Sequence, residues 1–334
     1  VLRLPPFEYH AATSAEEAVS LLARFGPDAL PVSGGTDLYA NMKQRLFTPK
    51  VLVGLRPIAD LQFIAYNAVT GLALGALATL TDIADSPVVR KYYPALAQAA
   101  ALISTPQLRN TGTIGGNICL DTRCNYYNQN LDWRKALNYC MKKDGDICRV
   151  APGSPKCVAV NSSDTAPVLQ AFGARVHLTS PTGTRELPIA EFFLDDGMFA
   201  WARRHDEIVT KIVIPPPAGD TRSAYRKLRL RNSFDFPILG VAAVVQLDGA
   251  GKCVAAKLVL NAVSSRPVEV SEAARALVGS ALSPETIGDA ADAAFRAGRP
   301  LDNTSATIPY RKRMVRVFAQ RALEDAARAV PLAD

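Results

Sequence analysis

Residues 29–55 read ALPVSGGTDLYANMKQRLFTPKVLVGL. ALPVS (29–33) is a short apolar strand, Gly34-Gly35-Thr36-Asp37 a tight turn, LYANMKQ a helical segment, and VLVGL (51–55) a second buried strand. Strand, glycine turn, helix, strand is the arrangement that offers backbone amides to phosphate. A lone Gly-Gly is more often a bare tight turn. The G-x-G-x-x-G spacing of an ordinary Rossmann nucleotide site is absent. Upstream, Ser14-Ala-Glu-Glu17 has the form of a capping box that opens an amphipathic helix through Phe25, with Gly26 closing it.

A second glycine turn stands at Asn110-Thr-Gly-Thr-Ile-Gly-Gly-Asn117. Two such turns with flanking hydroxyls favour one extended phosphate cradle over two unrelated bends. Asp164 precedes the helical run TAPVLQAFGA, where it could accept from a ribose but, taken alone, reads as the helix cap. Farther on, EIVTKIVIP (207–215), SAYRKLRLR (223–231), LGVAAVVQL (239–247) and VAAKLVLNAV (254–263) follow one another as strands of an antiparallel sheet. Helices are expected at Val270–Leu277, Pro284–Ala297 and Ile308–Ala329, and the Pro-rich 214–219 segment reads as a linker.

Between the second turn and Asp164 lies a 34-residue window with four of the six cysteines, Cys124, Cys140, Cys148 and Cys157. The window is rich in Asn, Lys and Asp and too poor in aliphatic residues to fold around an apolar core. Four thiolates about a metal centre would fold it. Spacings of fifteen, seven and eight residues lack the short paired ligands of a usual zinc site and also the common ferredoxin pattern. Two disulfides fit the even count but not a reducing compartment, and no signal peptide precedes VLRLPPFEYH. Cluster, zinc and disulfides stay open on spacing alone. Cys119 and Cys253 are read as small apolar residues outside the ligand set.

The 334-residue chain is long enough for two or three domains, and its 49% hydrophobic and 21% charged residues are those of a globular protein. No apolar run is long enough to span a bilayer, so a soluble, cytoplasmic protein without a membrane partner is expected. The net charge of +7 comes from dispersed residues with no nucleic-acid module, which points to acidic ligands or partners rather than nucleic acid. His10, His177 and His205 are scattered, and no Ser-His-Asp or paired-carboxylate constellation emerges. Substrate chemistry is expected elsewhere.

LPVSGGTDL, STPQLRNTGTIGGN, SDTAPVLQAFGA, EIVTKIVIP and YRKLRLRNSFDFPILGVAAV, in that order, resemble the FAD-binding subunits of the molybdenum hydroxylases, the xanthine dehydrogenase and carbon monoxide dehydrogenase family. The resemblance implies an α+β chain: a two-part PCMH-type FAD-binding domain over 1–217, with subdomains of about 1–56 and 57–217, then a carbon monoxide dehydrogenase flavoprotein-type α/β C-terminal domain over 222–330 with a small antiparallel sheet and helices. In that family TIGGN runs on within a few residues to the Ser-Asp element, whereas here an insert at 119–160 intervenes. An insert with four cysteines at this place resembles the 4-hydroxybenzoyl-CoA reductase branch, whose flavin subunit holds an extra [4Fe-4S] cluster.

Carried onto this chain, the resemblance gives the FAD pyrophosphate to Pro31, Val32, Ser33, Gly34, Gly35, Thr36, Asp37 and Leu38 and to Gly112, Thr113, Ile114, Gly115, Gly116 and Asn117. Asp164 would hold the ribose or adenine end, Ile103 and Val209 would wall the flavin, and Lys227 would approach the isoalloxazine. Cys124, Cys140, Cys148 and Cys157 would ligate the [4Fe-4S] cluster. The implied partners are a large subunit with the molybdenum cofactor and a small subunit with two [2Fe-2S] clusters, in a dimer of heterotrimers fed by ferredoxin. The implied reaction is reductive removal of the phenolic hydroxyl of 4-hydroxybenzoyl-CoA. The alternatives are a flavin subunit of an oxidative molybdenum hydroxylase and, from another class, a self-contained zinc-stabilised nucleotide-binding module. Seven basic against four acidic residues between Asp121 and Val160 lead to the expectation of a basic rim for an acidic ferredoxin.

Overall fold

The computed structural model describes residues 2–329. Residues 1 and 330, the outer limits of the two expected domain ranges, lie outside the described residues. The chain is α+β, built on three sheets. Strands β1 (Glu8–Ala11), β2 (Ala29–Val32) and β3 (Val51–Gly54) form a parallel sheet in the order β1-β3-β2. The helix Ala15–Phe25 covers it with Ala18, Val19 and Leu22. Its Ser14 hydroxyl accepts from the Glu17 N–H, but the Glu17 carboxylate reaches past Ser14 to the Thr13 N–H at 2.7 Å, so the cap is looser than a reciprocal box.

The second sheet is antiparallel, from β4 (Ile64–Asn67), β5 (Gly71–Gly75), β6 (Arg175–Ser180), β7 (Gly183–Pro188) and β8 (Ile208–Ile214), in the order β4-β5-β8-β6-β7. Helices Leu80–Asp85, Pro94–Ala101 and Thr165–Ala171 share its core with Leu72, Leu74, Val176 and Ile212. The third sheet holds β9 (Asp220–Leu228), β10 (Leu239–Leu247), β11 (Cys253–Asn261) and β12 (Val268–Glu269), antiparallel in the order β12-β11-β10-β9. Helices Ser271–Leu277, Pro284–Ala297 and Ile308–Arg328 back it, burying Ile287, Val315, Ala319 and Leu323.

The segment 207–215 therefore does not join the strands that follow it. β8 is paired on both sides by β5 and β6 in the second sheet, and Pro215, Pro216 and Pro217, which lack amide donors, end it before β9 starts another sheet.

The insert 119–160 is mostly turns, with one short helix at Leu131–Ala136. Its one apolar cluster is small, Tyr127 and Cys140 packed with Leu46, beside the separately buried Leu120, Cys148, Cys157, Ala159 and Val160. Cations take the place of a core. The Arg134 guanidinium, 1% exposed, donates to the carbonyls of Gln44 (2.7 Å) and Gln129. Arg149 donates to the carbonyls of Tyr139, Leu137 and Asn138. Lys142 is buried on Asp121, Thr122 and Gly197. The expected basic rim is thus largely turned inward, because loop carbonyls without secondary-structure partners need donors. Of the seven basic side chains, Lys135 alone among the described residues is exposed without an ion pair or a hydrogen bond to the chain.

Candidate functional site: a flavin cavity beside a cysteine pocket

A cavity of about 430 Å³ opens where the first two sheets and the C-terminal domain's 234–236 loop meet. Pro31 to Leu38, Ile103, Gly112, Thr113, Gly115, Gly116, Asn117, Asp164 and Val209 all line it. The two glycine turns are in contact: a Cβ on Gly34 would stand 2.0 Å from the Thr111 carbonyl oxygen, so only glycine permits the approach. Across the junction the Ser33 and Thr113 hydroxyls are 3.0 Å apart. The Thr113 hydroxyl also accepts from the Gly116 N–H. The Asn117 side chain accepts from the Ser163 and Thr165 hydroxyls at 2.8 and 2.6 Å, which fixes the Ser-Asp element to the second turn.

Three expected site residues behave differently from the sequence reading. Asp164 stands before its helix but makes no cap bond; the Ser163 hydroxyl caps instead by accepting from the Ala166 N–H. The Asp164 carboxylate is buried, accepting from the Tyr225 hydroxyl at 2.7 Å and from the Lys227 ammonium at 2.8 Å. Burial pushes this carboxyl up, against the opposing pull of Lys227 and Tyr225. Lys227, its side chain 1% exposed, also donates to the Leu102 carbonyl and does not line the cavity; its contact with a cavity-lining residue is the ion pair to Asp164. Ile114 is fully buried in the core and leaves the cavity wall to its neighbours.

Other wall residues carried no earlier assignment: Asp121, Arg123, Ser162, Trp201, Arg203 and the loop Phe234–Phe236. Asp121 Oδ2, Ser162 Oγ and Trp201 Nε1 are buried polar atoms without a partner among the described residues. A polar ligand in the cavity would supply what they lack. Arg123 meets the Asp37 carboxylate at 3.3 Å and lies 3.8 Å over the Phe236 ring. Burial raises Asp37 to about 6 despite Arg123. RNSFDFP supplied the one sequence signal for this loop, without indicating that it closes the cavity.

The four insert cysteines, far apart in sequence, line a second, small cavity with Tyr127, Met141, Lys142 and Ala159. Cys140, Cys148 and Cys157 are buried, and all six cysteines of the chain are free thiols. Burial raises Cys124 to about 12 and Cys157 to about 11, with neighbouring thiols adding to it. Cys119 is instead on the flavin cavity wall, and Cys253 lies in the third sheet. Among the described residues no group of three or more His, Cys, Asp or Glu side chains is arranged to hold a metal ion. The cysteine cavity measures about 10 Å³, so a cluster would have to spread the thiols. The donor set is all sulfur, in a lining of Tyr126, Tyr127, Met141, Val150 and Ala159 with the cations Lys142 and Arg149, and four thiolates are the ligands that iron–sulfur clusters use. Arg123 on one cavity and Cys124 on the other are consecutive residues.

Residues 5–217 match the family described as FAD binding domain in molybdopterin dehydrogenase, and residues 223–326 match the CO dehydrogenase flavoprotein C-terminal domain. The chain is 32% identical over 320 residues to the carbon monoxide dehydrogenase medium chain of Afipia carboxidovorans, covering 96% of each. It is 32% identical over 276 residues to the aldehyde oxidoreductase FAD-binding subunit of Escherichia coli K12, covering 80% of this chain and 84% of that one. The solved carbon monoxide dehydrogenase of Hydrogenophaga pseudoflava superposes with a TM-score of 0.80 at 31% identity over 97% of this chain and 98% of that chain. With both family models matching in order around the two-turn cavity, the chain belongs to the FAD-binding subunits of the molybdopterin dehydrogenases, a family of oxidoreductase subunits.

Proposed function

We propose that this chain carries FAD and one [4Fe-4S] cluster as the electron-transfer subunit of a 4-hydroxybenzoyl-CoA reductase. The observation that carries the reading is the gathering of Cys124, Cys140, Cys148 and Cys157 around one small cavity next to the flavin cavity. The flavin cavity residues, Pro31 to Leu38 and Gly112 to Asn117 with Ile103, Asp164 and Val209, would bind FAD, with Lys227 behind Asp164. When bound, the two cofactors supply one- and two-electron transfer. In the full reaction, two electrons from reduced ferredoxin and two protons remove the phenolic hydroxyl as water on a large molybdenum subunit, by way of a small subunit with two [2Fe-2S] clusters. The chain itself provides no substrate chemistry.

A second reading, a flavin subunit of an oxidative molybdenum hydroxylase whose cluster braces the insert, is favoured by relatives named carbon monoxide dehydrogenase and aldehyde oxidoreductase. Iron and acid-labile sulfide analysis of the purified chain and of its Cys→Ala variants tests the cluster. Four irons are expected, lost on Cys140→Ala and kept on Cys119→Ala. Zinc in place of iron would refute the cluster, and equal loss from Cys119→Ala would refute the ligand set. Dehydroxylation of 4-hydroxybenzoyl-CoA by the assembled complex with reduced ferredoxin separates the two readings.

A further inference from the structure

Lys142 lies between Cys140 and Cys148 in sequence and lines the cysteine cavity, and its ammonium pairs with Asp121 on the wall of the larger cavity. Its side chain is 5% exposed. Nζ donates to Asp121 Oδ1 at 2.7 Å, to the Thr122 carbonyl at 3.0 Å, to the Gly197 carbonyl at 2.8 Å and to the Thr122 hydroxyl. It also stands 4.5 Å over the Tyr127 ring, another wall of the cysteine cavity. Asp121, its carboxylate partner, lines the flavin cavity and leaves its second oxygen unpartnered. One buried cation is thus in contact with the walls of both cavities.

We infer that Lys142 is a positioning residue that holds a fixed positive charge between the two redox centres and sets the potential at which the cluster accepts an electron. The inference rests on the cluster reading given above. A cation buried beside a site stabilises added negative charge there far more than a solvated one does, because little water screens it. Reduction adds one electron to an already anionic thiolate cluster, so the nearby ammonium favours the reduced form. Asp121 acts in the opposite sense. Lys143, the next residue, is partly exposed and paired with Asp144, so its charge is screened. The same ammonium ties the Asp121–Cys124 link, where the two cavities adjoin, to the Gly197 loop.

The experiment is a redox titration of the iron-loaded chain, followed by electron paramagnetic resonance of the reduced cluster and by flavin absorbance. Lys142→Met should lower the reduced-to-oxidised ratio of the cluster at least tenfold at fixed potential, 59 mV for a one-electron couple. Asp121→Asn should raise that ratio, and Lys143→Met should change it much less than Lys142→Met does. Lys142→Arg, which keeps the cation, should restore most of the wild-type value. Opposite signs for Lys142→Met and Asp121→Asn separate a charge effect from loosened packing, which would let water in and move both variants alike. Shifts of the same sign, an unmoved Asp121→Asn, or equal shifts for Lys142→Met and Lys143→Met would overturn the inference. Should Lys142→Met fail to hold iron, the sign of the Asp121→Asn shift still decides. Wild-type chain without iron would instead refute the cluster reading itself.

Discussion

Asp37 sits in the first glycine turn and lines the larger cavity, its carboxylate held by Arg123 at 3.3 Å and by the Asn41 amide at 2.8 Å. Burial outweighs both and raises its pKa from the ordinary 3.8 to about 6. Below 3.8 the carboxyl is neutral in the folded and unfolded chain alike, and it contributes nothing unfavourable. As pH rises the unfolded chain ionises it first, so the fold loses stability up to about 6, above which the loss is complete. Asp37→Asn removes this loss. Thermal unfolding of flavin-free wild type and variant across that window should show the variant gaining on wild type as pH rises, with a constant difference above about 6. Parallel pH profiles would mean that the carboxyl is not perturbed.

At the scale of elements, the paired turns are a backbone-to-backbone contact whose inner face must stay bare. A Cβ on Gly116 would stand 3.1 Å from the Thr113 hydroxyl and 3.3 Å from the Ser33 hydroxyl, in the cradle itself. Gly116→Val should weaken FAD binding at least tenfold, about 1.4 kcal/mol, read by flavin fluorescence on titration. Gly288→Ala, in a helix where the added methyl meets nothing within 4 Å, should leave affinity unchanged and raise stability by about 0.5–1 kcal/mol. These turns were legible in sequence because glycine and hydroxyl residues repeat around them, and the cysteines because they cluster. Partners far along the chain were not legible. Asp164 reads as a cap because its chain neighbours are a helix start, whereas its actual partner Lys227 is 63 residues away. β8 reads as one of a run of strands because periodicity records burial, not which sheet supplies it. Lys142 reads as a surface charge because composition does not reveal that a loop lacking an apolar core turns its cations inward.

On the scale of the whole molecule, the insert interrupts the FAD-binding domain yet is held by the C-terminal one. Asn303, 2% exposed, accepts the Asn125 N–H on its backbone carbonyl at 3.0 Å and donates its side-chain amide to the Val158 carbonyl at 2.6 Å. Asn125 follows Cys124 and Val158 follows Cys157, so one residue clamps both ends of the cysteine window. Asn303 is fixed in turn by the buried Arg311, which donates to the carbonyls of Leu301 and Ala262 and to the Asn303 side chain. An unmet buried carbonyl costs about 1–3 kcal/mol, and Asn303→Ala leaves the half-buried Val158 carbonyl unmet, at the low end of that range, while removing an acceptor of the buried Arg311. That loss falls locally on the insert, because the two sheets of the flavin domain have their own cores. Asn303→Ala should therefore speed protease cleavage within 125–156 and shorten iron retention against a chelator, with FAD content within about a factor of two of wild type, since 0.4 kcal/mol of change at the flavin cavity gives no more than that. Equal loss of flavin and iron would show that the clamp supports the whole cavity pair rather than the insert, and unchanged cleavage would show that the internal cations hold the insert without it.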